Sequence, residues 1–311
     1  MTIAYYPGCL TTTLAREGDI TARAMLKALG VPFATVPRWY CCGANTAPAV
    51  EPDTALALAA GNLMAAGAAA STMLAPCGVC YNNLYRVQDR IRNDEGLRSR
   101  LERRLGGEFR DDLQVVSLAE FLARPEWLSR LGESVQTPLS PFKIACYYGC
   151  MLSRPADTVG RAQSGTMENV LKAIQAEPVE WDRGAACCGG LMGVVRKEPG
   201  ERLVRDILLA AEGAGANALC VACPVCHFNL DTRQFEVSVR EHRRVELPVF
   251  FLSELVAGAM ELKVLDSAFG RHMTSVYRLI DQFWDEDDEL RPVRSDLSQP
   301  TDSAERPLHR E

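Results

Sequence analysis

No apolar run in the 311 residues approaches the roughly 18 to 20 positions that cross a bilayer as a helix. The most apolar window, Ala55 to Met73, is dominated by alanine and interrupted by Gly61, Asn62 and Gly67, so no transmembrane segment is expected. The start, Met1-Thr-Ile-Ala-Tyr-Tyr-Pro-Gly-Cys9, lacks the basic stretch followed by an apolar one that marks a secretory leader. A cytoplasmic protein is the expectation. Also missing is any Lys/Arg block interleaved with aromatics, and the formal net charge is -6. Such a chain has no field to attract phosphate backbones, which argues against nucleic acid as a partner. No G-x-G-x-x-G fingerprint occurs, so no resident dinucleotide site of that type is expected. With 47% hydrophobic and 24% charged residues, neither a disordered nor a fibrous chain is indicated, and the length accommodates two domains.

What the chain does have is cysteine, twelve in all. In a reducing compartment these stay as thiols, and clustered thiols read as metal ligands or redox groups rather than as a disulfide framework.

Their spacing exposes a repeat. The first half carries Tyr5-Tyr6-Pro7-Gly8-Cys9, then Cys41-Cys42-Gly43, then Cys77-Gly78-Val79-Cys80. The second carries Tyr147-Tyr148-Gly149-Cys150, then Cys187-Cys188-Gly189, then Cys223-Pro224-Val225-Cys226. In both halves 34 residues separate the adjacent cysteines from the Cys-x-x-Cys pair. Asn83-Leu84 and Gln88 are matched by Asn229-Leu230 and Gln234 at the same offsets, and Leu118 to Ala123 is echoed by Leu252 to Ala257. Two copies of one large unit, related by a pseudo-twofold, explain this better than a solenoid of short units.

Short apolar runs at Ile3 to Tyr6, Ser71 to Ala75, Gln114 to Ser117, Phe142 to Tyr148, Ala218 to Val221 and Pro248 to Leu252 read as buried strands. Segments with helical spacing lie at Thr12 to Leu29, Asp53 to Ala69, Tyr81 to Arg104, Thr158 to Ala176 and Glu198 to Gly215. Alternation of the two predicts an α/β architecture with a mainly parallel sheet, flanked by helices, in each half. The polar, proline-bearing stretch Thr137 to Pro141 marks the boundary between a first domain at 1–137 and a second at 142–285. Ser267 to Asp285 reads as a further helix. The tail 286–311, rich in Pro, Ser, Asp and Arg, is too poor in apolar residues to offset the entropy of ordering.

Thiolates are the usual ligands of iron–sulfur clusters, and a Cys-x-x-Cys pair opening a helix puts two sulfurs on one side of a turn. Unpaired N–H groups at that helix end favour the negative charge of a sulfur cage. Adjacent cysteines do not easily chelate one tetrahedral ion but can reach different metals of a cluster, and Gly43 and Gly189 let the backbone pass close by. Cys9, Cys41, Cys42, Cys77 and Cys80 thus form one five-thiolate set, and Cys150, Cys187, Cys188, Cys223 and Cys226 the other. Five exceed the four of an ordinary cubane: either one thiol is spare and reactive, or the cluster is of another type. Zinc in one site is the alternative, although zinc normally closes at four ligands.

This doubled pattern of Gly-Cys, Cys-Cys-Gly and Cys-x-x-Cys resembles the cysteine-rich CCG-domain proteins, and most closely the B subunit of heterodisulfide reductase, over about residues 1 to 257. Tyr147 to Pro155 and Ala222 to Asp231 carry the likeness best. The resemblance implies two non-cubane [4Fe-4S] clusters, one per five-cysteine set, facing each other across a cleft where a disulfide is cleaved or formed. It also implies partners: a C subunit with cubane clusters and an A subunit with flavin. The arginine- and alanine-rich composition favours a bacterial type, whose disulfide or thiol substrate is carried on lipoate or is another thiol acceptor. The alternative within the resemblance is an electron-relay chain of a quinone-linked or glycolate-oxidase-type dehydrogenase. Those relay chains commonly carry C-x-x-C-x-x-C-x-x-x-C-P, which is absent here.

Cys146 and Cys220 have no partner in the repeat and read as buried strand cysteines. His227, directly after a candidate ligand, is a candidate proton relay or a hydrogen-bond donor to a cluster sulfur, with Tyr81 as its counterpart. Tyr5, Tyr6, Tyr147 and Tyr148 read as aromatic packing. Arg16, Glu17, Asp19 and Arg23 read as a solvated face.

Overall fold

A computed structural model describes residues 2–281 apart from Asn45 and Leu191. The expected α/β architecture is present as two four-stranded sheets. The first contains β1 (Ile3–Tyr5), β2 (Phe33–Thr35), β3 (Thr72–Ala75) and β4 (Gln114–Ser117) in the order β2-β1-β3-β4. The second contains β5 (Lys143–Tyr147), β6 (Glu177–Val179), β7 (Ala218–Val221) and β8 (Val249–Phe251) in the order β6-β5-β7-β8. All pairings are parallel, with Ala4 opposite Met73 and Ala145 opposite Leu219. Strands covered by helices on both faces are apolar throughout, and all four residues of Ala218–Val221 are buried.

β2 and β6 have no counterpart among the expected strands. Each is a three-residue edge strand whose side chains are partly buried or exposed. β6 contains Pro178, which an edge tolerates because one side of the strand needs no donor.

Three expected helices are broken. Tyr81 to Arg104 divides into Gly78–Asn93 and Glu95–Leu105, because Asp94 leaves the helical conformation and its carboxylate accepts the Leu97 amide at 2.8 Å, capping a new helix. Thr158 to Ala176 divides at Gly165, whose φ of 75° ends one segment before Thr166–Ala173 begins. Within Ser267 to Asp285, the helices Leu265–Phe269 and Tyr277–Ile280 flank a loop. Asp231 fixes that loop by accepting the amides of Met273 at 2.7 Å and Thr274 at 3.0 Å. Residues 282–311, including the 286–311 tail, lie outside the described residues.

The two halves exchange helices. Arg16–Ala28, after β1, packs on Leu252–Ala259, after β8; reciprocally, Thr166–Ala173 packs on Leu118–Leu122, after β4. The contacts are close and polar at the centre. Thr21 and Ser253 share a hydroxyl hydrogen bond at 2.8 Å, and Ser117 Oγ donates to Gln163 Oε1 at 2.7 Å. Gly18 lies flat on the Phe251 ring, where a Cβ would stand 3.1 Å from three ring carbons.

Arg16, Glu17, Asp19 and Arg23 do not form a solvated face. Only Arg16 is exposed. Glu17 is 2% accessible, and Asp19 accepts from the Tyr5 hydroxyl at 2.7 Å and from Arg23 Nε at 2.8 Å. The second half covers Glu17 through His227, while Asp19 and Arg23 pack on Tyr5 of their own half.

Candidate metal centre

In an open parallel sheet, ligands bind beyond the carboxyl ends of the strands, where the strand order reverses direction. Here the chain moves from β1 to β2 on one side and then to β3 on the other, and from β5 to β6 and then to β7. Cys9 follows β1 and Cys77 follows β3; Cys150 follows β5 and Cys223 follows β7. Cys41-Cys42 and Cys187-Cys188 come in on the loops after β2 and β6. Each candidate set therefore gathers at a switch point of its own sheet.

The sulfurs are in contact. Sγ separations are 3.6 Å for Cys9 and Cys41, 3.4 Å for Cys42 and Cys80, 3.8 Å for Cys150 and Cys187, and 3.5 Å for Cys188 and Cys226. All twelve cysteines are free, and these separations are far beyond the roughly 2.05 Å of a disulfide. Cys77 and Cys223 start the helices Gly78–Asn93 and Pro224–Thr232, which point their N-termini at the sulfurs. Gly8 and Gly149, with φ of 78° and 63°, let the first cysteine loop press in. A Cβ on either would lie 3.0 Å from Cys80 Sγ or 3.1 Å from Cys226 Sγ.

Two pairs of equivalent side chains hold the adjacent-cysteine loops. Tyr6 donates to the Tyr40 carbonyl at 2.6 Å and Tyr147 to the Ala186 carbonyl at 2.7 Å, in each case the residue before the first of the two cysteines. Asn83 donates to the carbonyls of Cys42 and Ala44 at 3.3 and 2.7 Å, and approaches Cys42 Sγ at 3.7 Å. Asn229 does the same with Cys188 and Gly190 at 3.2 and 2.9 Å, and reaches Cys188 Sγ at 3.5 Å. The tyrosines are thus more than aromatic packing, and the asparagines, visible in the repeat only as matched letters, are the loop clamps.

Hydrogen bonding polarises the thiols. Cys42 is pulled down to about 3, first by its hydrogen bond with Cys41, then by Cys80, against the effect of burial. Cys187 is drawn to about 6 by Cys150, and Cys188 is lowered chiefly by Cys226. The partners Cys41 and Cys150 are raised, each through the hydrogen bond to its neighbour. Sulfurs this crowded share protons when nothing positive lies among them, and a cation would release those protons.

The two sets also meet. The Gly78 amide donates to the Ala222 carbonyl at 3.0 Å, which brings the residue after Cys77 to the residue before Cys223. A cleft of about 420 Å³ opens between them, with Cys9 on one side and Cys150 on the other, and with Leu10, Val79, Met151 and Val225 in its walls.

Cys146 and Cys220 lie outside both sets. They are 2% and 0% accessible, face each other on β5 and β7, and burial pushes both thiols up. His227 is 3% accessible, stacks on Phe251 at 4.3 Å, and directs Nε2 to the Val249 carbonyl at 3.0 Å and Nδ1 towards Glu17 Oε1 at 3.6 Å. Glu254 and His272 complete this buried group, joined at 2.8 Å. Burial raises the Glu17 carboxyl to about 7. Burial opposes charge on His272, but Glu254 outweighs it and holds the imidazole up to about 9. These residues come from four distant segments, and no spacing in the sequence links them.

A family model for the CCG cysteine-rich domain matches residues 3–85 and 144–231. The 8-methylmenaquinol:fumarate reductase membrane anchor subunit of Wolinella succinogenes is 26% identical over 89% of this chain and 98% of its own length. The B subunit of the ferredoxin/F(420)H(2)-dependent CoB-CoM heterodisulfide reductase of Methanosarcina acetivorans is 25% identical over 83% of this chain and 89% of its own. A protein of Archaeoglobus profundus named as like the heterodisulfide reductase B subunit is 21% identical over 81% of this chain and 88% of its own. A crystal structure of a hypothetical protein from Helicobacter pylori superposes with a TM-score of 0.70 at 14% identity, covering 88% of this chain and 52% of that one. It shares the fold.

Proposed function

The chain belongs to the CCG cysteine-rich domain family, and on that premise we propose that it is the iron–sulfur subunit of a heterodisulfide reductase-like complex. In this reading residues 1–137 and 142–285 are the two domains. The ten cysteines Cys9, Cys41, Cys42, Cys77, Cys80, Cys150, Cys187, Cys188, Cys223 and Cys226 hold two [4Fe-4S] clusters of non-cubane type. The observation that carries it is one cleft lined by cysteines of both five-sulfur sets, beside the point where the Gly78 amide meets the Ala222 carbonyl.

The residues suit such groups. Each set offers five sulfurs with glycine at the close approaches, whereas a zinc ion closes at four ligands and would leave one thiolate over. Bound there, the clusters supply one-electron redox chemistry. The chain's own part is to hold the substrate S–S bond between Cys9 and Cys150, exclude water with Leu10, Val79, Met151 and Val225, and keep the two ligand sets in contact. Cleavage takes two electrons and two protons to give two thiols. Partner subunits of the cubane (C) and flavin (A) kind act as reductant, in the cytoplasm.

A second reading is an electron relay in a quinone-linked or glycolate-oxidase-type dehydrogenase. The similarity to a protein named for menaquinol:fumarate reductase favours it. No helix among the described residues is long and apolar enough to cross a membrane.

Metal analysis with EPR of anaerobically purified protein tests both readings. Roughly eight irons per chain are expected, with a signal that changes on adding a disulfide or thiol ligand. An iron signal indifferent to every such ligand would favour the relay. Zinc without iron would end the redox reading altogether.

A further inference from the structure

We infer that a zinc ion is held by His227, His272, Glu254 and Glu17, in a site separate from the ten cysteines. The four side chains converge from the helix Pro224–Thr232, the loop after Leu265–Phe269, the helix Leu252–Ala259 and the first-half helix Arg16–Ala28. Their side chains are 4%, 0%, 0% and 3% accessible respectively. One nitrogen of each imidazole and one Glu254 oxygen lie within 4.8 Å of one another. The two rings are 5.0 Å apart and nearly perpendicular, at 78°.

His227 is pinned through Nε2 on the Val249 carbonyl at 3.0 Å, which leaves Nδ1 facing Glu17 Oε1 at 3.6 Å. His272 Nε2 and Glu254 Oε1 already meet at 2.8 Å, and a cation taking the place of the proton between them would be held by both. A ring pinned through one nitrogen with the other turned towards the site is how metal-binding histidines are oriented.

Charge and size agree. A divalent cation would displace the proton that Glu254 holds on His272 and balance the two carboxylates in its place, as metal binding to histidine does. Two nitrogens and carboxylate oxygens suit zinc, whose bonds of about 2.0 to 2.1 Å place tetrahedral ligands roughly 3.3 Å apart. The donors, within 4.8 Å of one another, would draw in by up to about 1.5 Å around the ion.

The corresponding place in the first half sharpens the contrast. There Tyr81 follows Cys80 as His227 follows Cys226, and Glu120 caps its helix as Glu254 does. Gln163 occupies the side that Glu17 fills, donating to Glu120 at 3.1 Å and accepting from Ser117 at 2.7 Å. That set has one carboxylate and no imidazole, and hydrogen bonds satisfy it. The cation is therefore a property of the second half alone, where it ties the cysteine helix to the other half and to the loop at 271–275.

The test uses the full chain, purified anaerobically, equilibrated with zinc chloride and desalted, with zinc and iron counted together. One zinc per chain is expected, with a zinc-edge absorption spectrum showing nitrogen and oxygen neighbours. His272→Ala and Glu254→Gln are each expected to weaken zinc retention at least tenfold while the iron count stays unchanged. Retention of no zinc, or a zinc spectrum dominated by sulfur, overturns the site, and the wild-type spectrum decides between these outcomes even if a variant fails to fold. Iron counted in the same sample judges the cluster reading separately.

Discussion

The Gly78 amide donates to the Ala222 carbonyl at 3.0 Å, so the residue after Cys77 is bonded to the residue before Cys223. One backbone hydrogen bond therefore sets the spacing of the two cysteine helices at the pseudo-twofold. A Cβ at position 78 would stand 3.1 Å from Leu152 and 3.4 Å from Cys223 Cβ. Gly78→Ala gains helix propensity of up to about 1 kcal/mol but overpacks the junction at a cost of about 1 to 3 kcal/mol. The expected net result is a lower urea midpoint with an unchanged slope; a raised midpoint would show that the junction has slack.

The asparagine clamps predict paired effects. Asn229→Leu removes an amide that serves the carbonyls of Cys188 and Gly190, and leaving buried acceptors unmet costs about 1 to 3 kcal/mol. Asn83→Leu is expected to cost a similar amount through Cys42 and Ala44. Each variant should alter the EPR signature of one cluster only. Identical spectra from the two variants would contradict the assignment of one clamp to each set.

How far the sequence carried this picture depended on the range of each interaction. Cysteine spacing is local, and eight of the ten candidate sulfurs lie in contact within their own sets. Buried central strands such as Ala218–Val221 are continuous apolar runs and were readable. The edge strands β2 and β6 were not, because three residues, part-buried or exposed, carry no period. The apolar spacing of Tyr81 to Arg104 continues through Asp94, so the cap that splits it was hidden. Glu17 looked like a surface residue among charged neighbours. It is buried because His227 and Glu254 reach it from more than two hundred residues away.

The tyrosine hydroxyls yield a symmetric prediction. Tyr6→Phe frees the Tyr40 carbonyl and Tyr147→Phe frees that of Ala186. Each is expected to lower stability by about 0.5 to 1.5 kcal/mol with iron content retained, since the ring and its packing against Trp39 or Trp181 remain. Complete loss of iron from either variant would assign the hydroxyl a larger part than holding a carbonyl.

Cys146 and Cys220 distinguish buried thiols from ligand thiols by reactivity. Burial is the largest cause raising both, so at neutral pH they stay protonated, and only the thiolate attacks an alkylating agent. After chelation of iron from folded protein, iodoacetamide is expected to modify cysteines of the two sets first, with Cys187, part-exposed and drawn down to about 6, among the earliest. Cys146 and Cys220 are expected to react only once denaturant opens β5 and β7. Mass spectrometry of tryptic peptides reads the order directly, and early labelling of either strand cysteine would mean that the second sheet opens without its metal.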